Sequence, residues 1–229
     1  MNLETSKNLG GIGALLIVIA VIATFGVPYA GFLGLVGLIL VLISAKFLAD
    51  HYGEGGIFNN ALYALIMGII GFIAFIGIAI YSVLSALAEL GVSTENLSDL
   101  PIIIQQRVME GDMSFIWGLV GAIILAWVVL SICFIIATIF SRKSLNLLSA
   151  KTGVGLFGIA GMLMLIGGIL FIVFVGVILG WIAWILVAVA FFSIKTQPTQ
   201  PSPPPQPAPS PQPPHKPYSL FYNSNSETV

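Results

Sequence analysis

The sequence predicts an all-α, polytopic membrane protein, a bundle of six transmembrane helices. Three observations predict it. The chain of 229 residues is 58% hydrophobic and only 7% charged, it contains apolar stretches long enough to cross a bilayer, and its basic residues collect in every second connection. A soluble domain carries about a quarter charged residues and needs a wetted surface, which this composition does not supply. The lipid bilayer is therefore the first partner that we expect.

Six apolar stretches have the length of a crossing, because about 20 helical residues span roughly 30 Å of hydrocarbon. The last two come from one stretch of about twice that length, which must turn back near residues 174–176. The third helix is expected to continue beyond residue 80. The predicted spans are residues 9–25, 32–48, 61–80, 114–140, 154–174 and 177–194.

Basic residues predict the orientation of these spans. If the N-terminus is cytoplasmic, the outer connections hold only Arg107 among the eight Lys and Arg residues. Cytoplasmic connections of membrane proteins are enriched in Lys and Arg. We therefore expect both termini to be cytoplasmic, in a multi-pass protein of the cell membrane. The cytoplasmic set is Lys7, Lys46, Arg142, Lys143, Lys151, Lys195 and Lys216.

The first two spans resemble the last two. LGGIGALLIVIAVI from Leu9 aligns with LFGIAGMLMLIGGI from Leu156 at six positions, and the second and sixth spans align at a similar shift. This predicts a repeated hairpin, although apolar helices also match by chance. Small residues recur at helical spacing, as in Gly31, Gly34 and Gly37. They indicate a packed bundle or a homo-oligomer, or else only the usual glycine content of membrane helices.

The polar sequence AKFLADHYGEGGIFNNALY, residues 45–63, joins the second and third spans. Lys46 and Asp50 are four residues apart and can form an ion pair on a helix. Gly53, Gly55 and Gly56 are expected to end that helix, and Asn59 or Asn60 to cap the next. These residues predict an interaction loop made of Lys46, Asp50, His51, Asn59 and Asn60.

The alternative for this stretch is a metal site formed by Asp50, His51 and Glu54. One histidine and two carboxylates without a second histidine or a defined spacing give a weak metal signal. The structural interpretation is therefore preferred, and we expect no metal and no cofactor.

Catalytic chemistry is not expected. No charged or histidine residue lies in the core of any predicted span, whereas proton-coupled pumps and voltage sensors place such residues there. Cys133 is expected to be a packing residue, and as the single cysteine it forms no intrachain disulfide. The span hydroxyls are expected to bond to their own helices; they are Ser82, Ser85, Ser131 and Thr138. The net charge of −1 excludes the basic surface of a nucleic-acid-binding protein.

The largest outer connection, about residues 88–113, contains LPIIIQQRVM. This sequence predicts a short amphipathic helix on the outer surface, with Leu100, Ile104 and Val108 on one side. Asn96-Leu97-Ser98 is an N-glycosylation sequon on the predicted outer side, so Asn96 is a candidate glycosylation site.

Residues 196–229 form a separate tail after the membrane domain of residues 1–195. Eleven of the thirteen prolines lie in this tail. Proline removes backbone donors and favours extended polyproline II, so the tail is expected to be a disordered cytoplasmic arm. It either docks in an aromatic groove of a cytoplasmic protein or serves as a spacer.

Several of these segments resemble the domain-of-unknown-function 996 family of small multi-pass membrane proteins, mainly archaeal and bacterial. The segments are LGGIGALL, the long run from GFLGLVG to IMGIIG that includes LADHYGEGGIFNNALY, and the glycine-spaced last hairpin. The resemblance covers residues 2–194. It implies a membrane bundle and no known activity. Some members end in a cysteine-containing tail, and this chain has prolines there instead.

The sequence therefore favours a non-enzymatic structural or interaction component of the membrane. The alternative is a small-solute channel or transporter lined by glycine backbone and hydroxyls. A continuous hydrated cavity would favour the channel, and a solid bundle the interaction component.

Overall fold

A computed structural model describes residues 2–27, 29–92 and 96–195, and its regular elements in those ranges are all helical. Six of the helices are long and apolar enough to cross a membrane, which confirms the predicted all-α bundle with six candidate spans. Two 3₁₀ turns lie at Leu97–Asp99 and Phe171–Val173. The α-helices are α1 (Leu3–Ala23), α2 (Gly31–Tyr52), α3 (Gly55–Glu89), α4 (Leu100–Met109), α5 (Ser114–Thr152), α6 (Leu156–Leu170) and α7 (Val175–Phe192).

The six long helices contact one another in a cycle. α1 packs on α2 and α7, α7 on α6, α6 on α5, and α5 on α3, and a smaller contact between α2 and α3 closes the cycle. Sequence neighbours thus form the antiparallel hairpins α1–α2 and α6–α7. The third pair, α3 and α5, is joined through the connection that contains α4.

Glycines allow the closest helix contacts. A Cβ atom added to Gly37 would stand 2.5 Å from the carbonyl oxygen of Gly13, so α1 and α2 approach backbone to backbone. Gly71 of α3 similarly faces Cys133 of α5, which supports the packing role predicted for this cysteine. Gly31, of the predicted glycine spacing on α2, and Gly68 of α3 have no atom within 4 Å of an added Cβ. Only some of these glycines therefore form helix contacts within one chain.

Side-chain contacts bring five helix ends together at one end of the bundle. The Ser44 hydroxyl donates to the carbonyl of Ser6 at 2.7 Å, and the Lys7 amine donates to the carbonyl of Ile194 at 3.3 Å. Ser144 of α5 donates to the carbonyl of Ile57 of α3 at 2.6 Å. We call this end the basic end, defined by Lys7, Lys46, Arg142, Lys143, Lys151 and Lys195.

The α3–α5 pair extends far beyond the other hairpins. α3 has 35 residues and α5 has 39, which correspond to about 52 and 58 Å. Trp127 of α5 contacts the turn between α6 and α7. Gly71 faces Cys133, so in this antiparallel pair the residue of α3 level with Trp127 is about residue 77. Residues 78–89 and 114–126 therefore lie beyond that turn, and together with α4 we call them the arm.

α4 covers the tip of the arm, which confirms the short helix predicted from LPIIIQQRVM. Its Leu100, Ile103 and Ile104 pack on a small core around Phe115. Val108, which we expected on the same side of the helix as Leu100 and Ile104, is 39% exposed. The packed face is therefore formed by residues at the start of the helix.

One predicted boundary needs correction, the start of the third long helix. Asn59 and Asn60 do not cap the third span, because α3 already begins at Gly55. The physical reason is Gly53, whose φ of 63° ends α2 in the left-handed conformation and lets the chain reverse within two residues. The Asn60 amide instead donates to the carbonyl of Gly56 within α3 at 2.7 Å.

Candidate interaction site at the basic end

The connection between α2 and α3 presents an ion pair to solvent. The Lys46 amine lies 3.0 Å from a carboxylate oxygen of Asp50, and both side chains are more than half exposed. This confirms the pairing predicted from their spacing of four residues. An exposed pair of this kind stabilises a helix by only about 0.3–0.5 kcal/mol. Both groups therefore remain available to a partner.

A second ion pair joins this connection to the end of α5. The Lys151 amine lies 3.3 Å from a Glu54 carboxylate oxygen. α5 ends at Gly153, with φ 72°, as α2 ends at Gly53. Opposite charges thus link the last turn of α5 to the residue that follows Gly53 in the α2–α3 connection.

The weak metal candidates are engaged separately. Asp50 pairs with Lys46 and Glu54 with Lys151, while the His51 ring stands edge-on to Tyr52 at a centroid distance of 4.9 Å. Among residues 2–27, 29–92 and 96–195, no group of three His, Cys, Asp or Glu side chains is arranged to hold a metal ion. The residues present here fit a charged surface better than a coordination site.

An apolar core lies directly beneath the charged surface. Phe157 of α6 and Phe191 of α7 are fully buried and pack edge-to-face, with ring centroids 5.1 Å apart. Leu48, Ile57 and Leu148 join them from three other helices. Because these side chains are packed from all sides, the exposed groups above them stand on a rigid base.

Buried polar side chains within the described part of the chain are all hydroxyls, and each donates to a backbone carbonyl. The hydroxyls of Ser131 and Thr138 donate to carbonyls of their own helix at 2.8 Å, and that of Ser82 donates to the carbonyl of Ile78 at 2.5 Å. The prediction is therefore confirmed for three of the four span hydroxyls. Ser85 is exposed. The remaining buried hydroxyls are those of Ser6, Ser44 and Ser144.

Aromatic rings accompany the cations, a feature that the sequence analysis missed. The Lys46 amine lies 5.4 Å from the centre of the Phe58 ring, and the Lys143 amine 5.5 Å from that of Phe140. The Tyr63 ring lies beside Phe140, with centroids 5.5 Å apart. A cation placed above the face of an aromatic ring is attracted by the ring's quadrupole. Tyr63 and Phe140 belong to helices far apart in sequence, so no local pattern could predict the contact.

The other predicted residues divide by exposure. His51 and Asn59 are exposed at the basic end, and Asn60 is half-buried. Asn96 is exposed at the opposite end, just before the turn Leu97–Asp99, and its glycosylation stays a prediction. The Pro-rich tail lies outside the described residues.

The chain matches the model of a known protein family. The family described as "Protein of unknown function (DUF996)" matches residues 33–185. The chain is also similar to the uncharacterized protein MJ1644 of Methanocaldococcus jannaschii, with 31% identity over 194 residues, which cover 85% of this chain and 94% of that protein. No solved structure matches. The extent of both matches, and the polar α2–α3 connection that lies inside them, show that the chain belongs to the DUF996 family.

Proposed function

We propose that this protein is a non-enzymatic component of the cell membrane that binds a protein partner through its basic end. The proposed surface consists of the interaction loop, Lys46, Asp50, His51, Asn59 and Asn60, with Lys151 beside it. Its charged groups are exposed, held only by weak surface ion pairs, and fixed on a packed base. A rigid surface loses little conformational entropy on binding, which favours association.

The observation that carries this proposal is the apolar core of the bundle. Its largest buried side chains are Phe157, Phe191 and Leu48, and the buried hydroxyls of the described residues are engaged by backbone carbonyls. A polar solute crossing the bundle needs groups that replace its hydration shell. Here those groups are already bonded, so a binding role fits better than a channel.

The proposed orientation places the basic end and both chain termini in the cytoplasm. Six of the eight Lys and Arg residues lie at this end, and Arg107 lies in the arm. The positive-inside rule favours this orientation. Ile194, near the end of the described residues, lies beside Lys7 at the basic end. We propose that the Pro-rich tail, which follows in sequence, also takes part in holding a cytoplasmic partner.

The proposed repeat is supported by the buried positions of both hairpins. The shifts that align the first and second spans with the fifth and sixth place Ala160 and Ala183 opposite Gly13 and Gly37. Gly13 and Gly37 form the α1–α2 contact, and Ala160 and Ala183 are fully buried. We propose that α1–α2 and α6–α7 derive from one duplicated hairpin. An experimental structure in which the two hairpins superpose at another register would contradict it.

The binding role is tested by cross-linking in the native membrane. A photo-reactive amino acid is placed at His51, and as a matched control at Gln105 on the exposed side of α4. Each is made in the full chain and in a chain ending at Lys195. We expect one partner to be captured from position 51 and not from 105, with lower yield after truncation.

The same preparation distinguishes the alternative. Purified protein reconstituted in vesicles is assayed for flux of small polar solutes and ions. No flux above that of empty vesicles is expected. Flux that is abolished by a bulky substitution in the bundle, with no cross-linked partner from position 51, would overturn the binding role and favour a channel.

A further inference from the structure

The turn between α6 and α7, residues 171–174, is apolar and exposed. Its sequence is FIVF, and the whole segment from Leu156 to Phe192 contains no charged residue. Val173 is 59% exposed and Phe174 is 64% exposed. The connection at the arm tip is different, since it carries Glu89, Asp99 and Arg107 among its charges. An aqueous loop made only of large apolar side chains would be costly.

The height of this turn follows from its contact with Trp127. The Trp127 indole stacks on Phe171 and Phe174, with centroids 4.9 and 4.4 Å away. Trp127 is 15 residues from Arg142 along α5, or about 22 Å. The hydrocarbon of a bilayer is roughly 30 Å thick. A helix tilt lowers the turn further. If Arg142 lies at the bilayer boundary nearest the basic end, the turn stops about 8 Å short of the opposite boundary.

Apolar surface continues above the turn on the arm. Ile123, Ile124 and Leu125 lie between Trp127 and the tip, and each is more than half exposed. Trp117, a residue type favoured at membrane interfaces, lies ten residues beyond Trp127. The lipid-facing belt of the protein therefore does not end at the height of the turn.

Backbone carbonyls of the turn have hydrogen-bond donors within the protein, as a lipid environment requires. Non-helical backbone inside a bilayer must have its polar groups satisfied by the protein. The Trp127 indole N–H donates to the carbonyl of Ile172 at 3.2 Å. The carbonyls of Phe171 and Phe174 accept from the N–H groups of Phe174 and Val177. Three carbonyls freed by the chain reversal thus have donors without water.

We propose that α6–α7 is a re-entrant hairpin whose turn lies within the bilayer, covered by lipid acyl chains of the leaflet nearest the arm tip. The α3–α5 pair crosses completely, whereas α6–α7 enters and leaves through the face at the basic end. The charge distribution is the same for a re-entrant and a crossing hairpin, so the basic residues could not reveal it. The inference rests on the proposed orientation only in naming that leaflet as the outer one.

The test measures water access at single cysteines in a Cys133→Ala background. Val173→Cys and Ile172→Cys probe the turn, Gln105→Cys the arm tip, and Ala150→Cys the basic end. Vesicles, intact or opened, are treated with a membrane-impermeant maleimide. In parallel, a fluorophore on each cysteine is exposed to lipids that carry nitroxide quenchers on their acyl chains.

We expect both turn cysteines to stay unmodified in intact and opened vesicles, and their fluorophores to be quenched by the acyl-chain nitroxides. Gln105→Cys and Ala150→Cys should react from opposite sides. Reaction of Val173→Cys at a rate comparable with Gln105→Cys, from the same side, would overturn the re-entrant hairpin. An exchange of sides between positions 105 and 150 would overturn the proposed orientation alone. Ile172→Cys repeats the measurement if Val173→Cys does not fold.

Discussion

At the scale of single residues, buried serine hydroxyls join neighbouring helices at the basic end. Ser144 is 6% exposed, and its hydroxyl donates to the carbonyl of Ile57 on the neighbouring helix at 2.6 Å. This carbonyl belongs to the first turn of α3, which begins at Gly55. The hydroxyl therefore links α5 to the start of α3 between two residues that are 87 positions apart in sequence.

Ser144→Ala should lower the free energy of unfolding by about 1–2 kcal/mol, because a buried carbonyl loses its side-chain donor. The control is Ser193→Ala, whose hydroxyl is exposed and bonds only within its own helix turn. Unfolding is followed by titration with SDS in mixed micelles. Equal stability of the two variants would show that the Ser144 bond contributes nothing at this site.

At the scale of helix pairs, backbone proximity decides which glycines matter. Gly37→Ala should destabilise the α1–α2 hairpin by about 1–3 kcal/mol, since the new methyl group overlaps the Gly13 carbonyl and forces the helices apart. Gly68→Ala is the matched control, because no atom lies within 4 Å of its added Cβ. Thermal unfolding in detergent compares the two. A Gly68→Ala variant as unstable as Gly37→Ala would mean that Gly68 packs against a second copy.

The connection from α4 to α5 depends on an ionised carboxylate. Asp112 accepts hydrogen bonds from the hydroxyl and the backbone N–H of Ser114, at 2.7 and 3.1 Å, and Arg107 lies 2.6 Å away. The Ser114 hydrogen bonds, with the Arg107 guanidinium as a smaller cause, lower the pKa of Asp112 from 3.8 to about 2.

Since this pKa is lowered in the folded state, ionised Asp112 favours the folded connection above about pH 4, and the effect is lost as the pH falls towards 2. Amide exchange at Ser114, measured by mass spectrometry and corrected for the intrinsic rate, should therefore show constant protection from pH 7 to about 4 and lower protection below it. Asp112→Asn should abolish this pH dependence. Protection that falls already between pH 6 and 5 would contradict the lowered pKa.

At the scale of the whole molecule, the sequence predicted the elements well and their relative heights poorly. Apolar length gave the six helices, and spacing gave the Lys46–Asp50 pair and the break at Gly53, because these depend on neighbours in the chain. The Lys151–Glu54 and Lys143–Phe140 contacts complete the candidate site. The first depends on the packing of α5 against α3, which no local pattern encodes. The Asn59 and Asn60 cap was wrong for a related reason, since hydropathy marks where lipid begins and not where a helix begins.

The positions of the helix ends along the bundle axis could not be predicted either, because hydropathy describes each helix separately. α6 and α7 have apolar lengths close to one crossing. The contacts of Trp127 with Ile172, Phe171 and Phe174 show that their turn lies well short of the arm tip. Membrane proteins whose helices differ in apolar length deform the bilayer or expose residues, at a modest cost per ångström of mismatch. This protein joins a long pair and a short pair in one bundle, so no single bilayer thickness matches both.

Bilayer thickness should therefore control the exposure of the α6–α7 turn. In vesicles of decreasing acyl-chain length, Val173→Cys in the Cys133→Ala background should change from unreactive to reactive towards an impermeant maleimide. The change is expected when the hydrocarbon approaches about 22 Å, the height of Trp127 above Arg142. Gln105→Cys should react in every lipid, because the arm tip stands outside even a thick bilayer. A Val173→Cys rate that does not change with thickness would place the turn in water or in a protein contact. A graded rise would instead identify the acyl chains as what covers it.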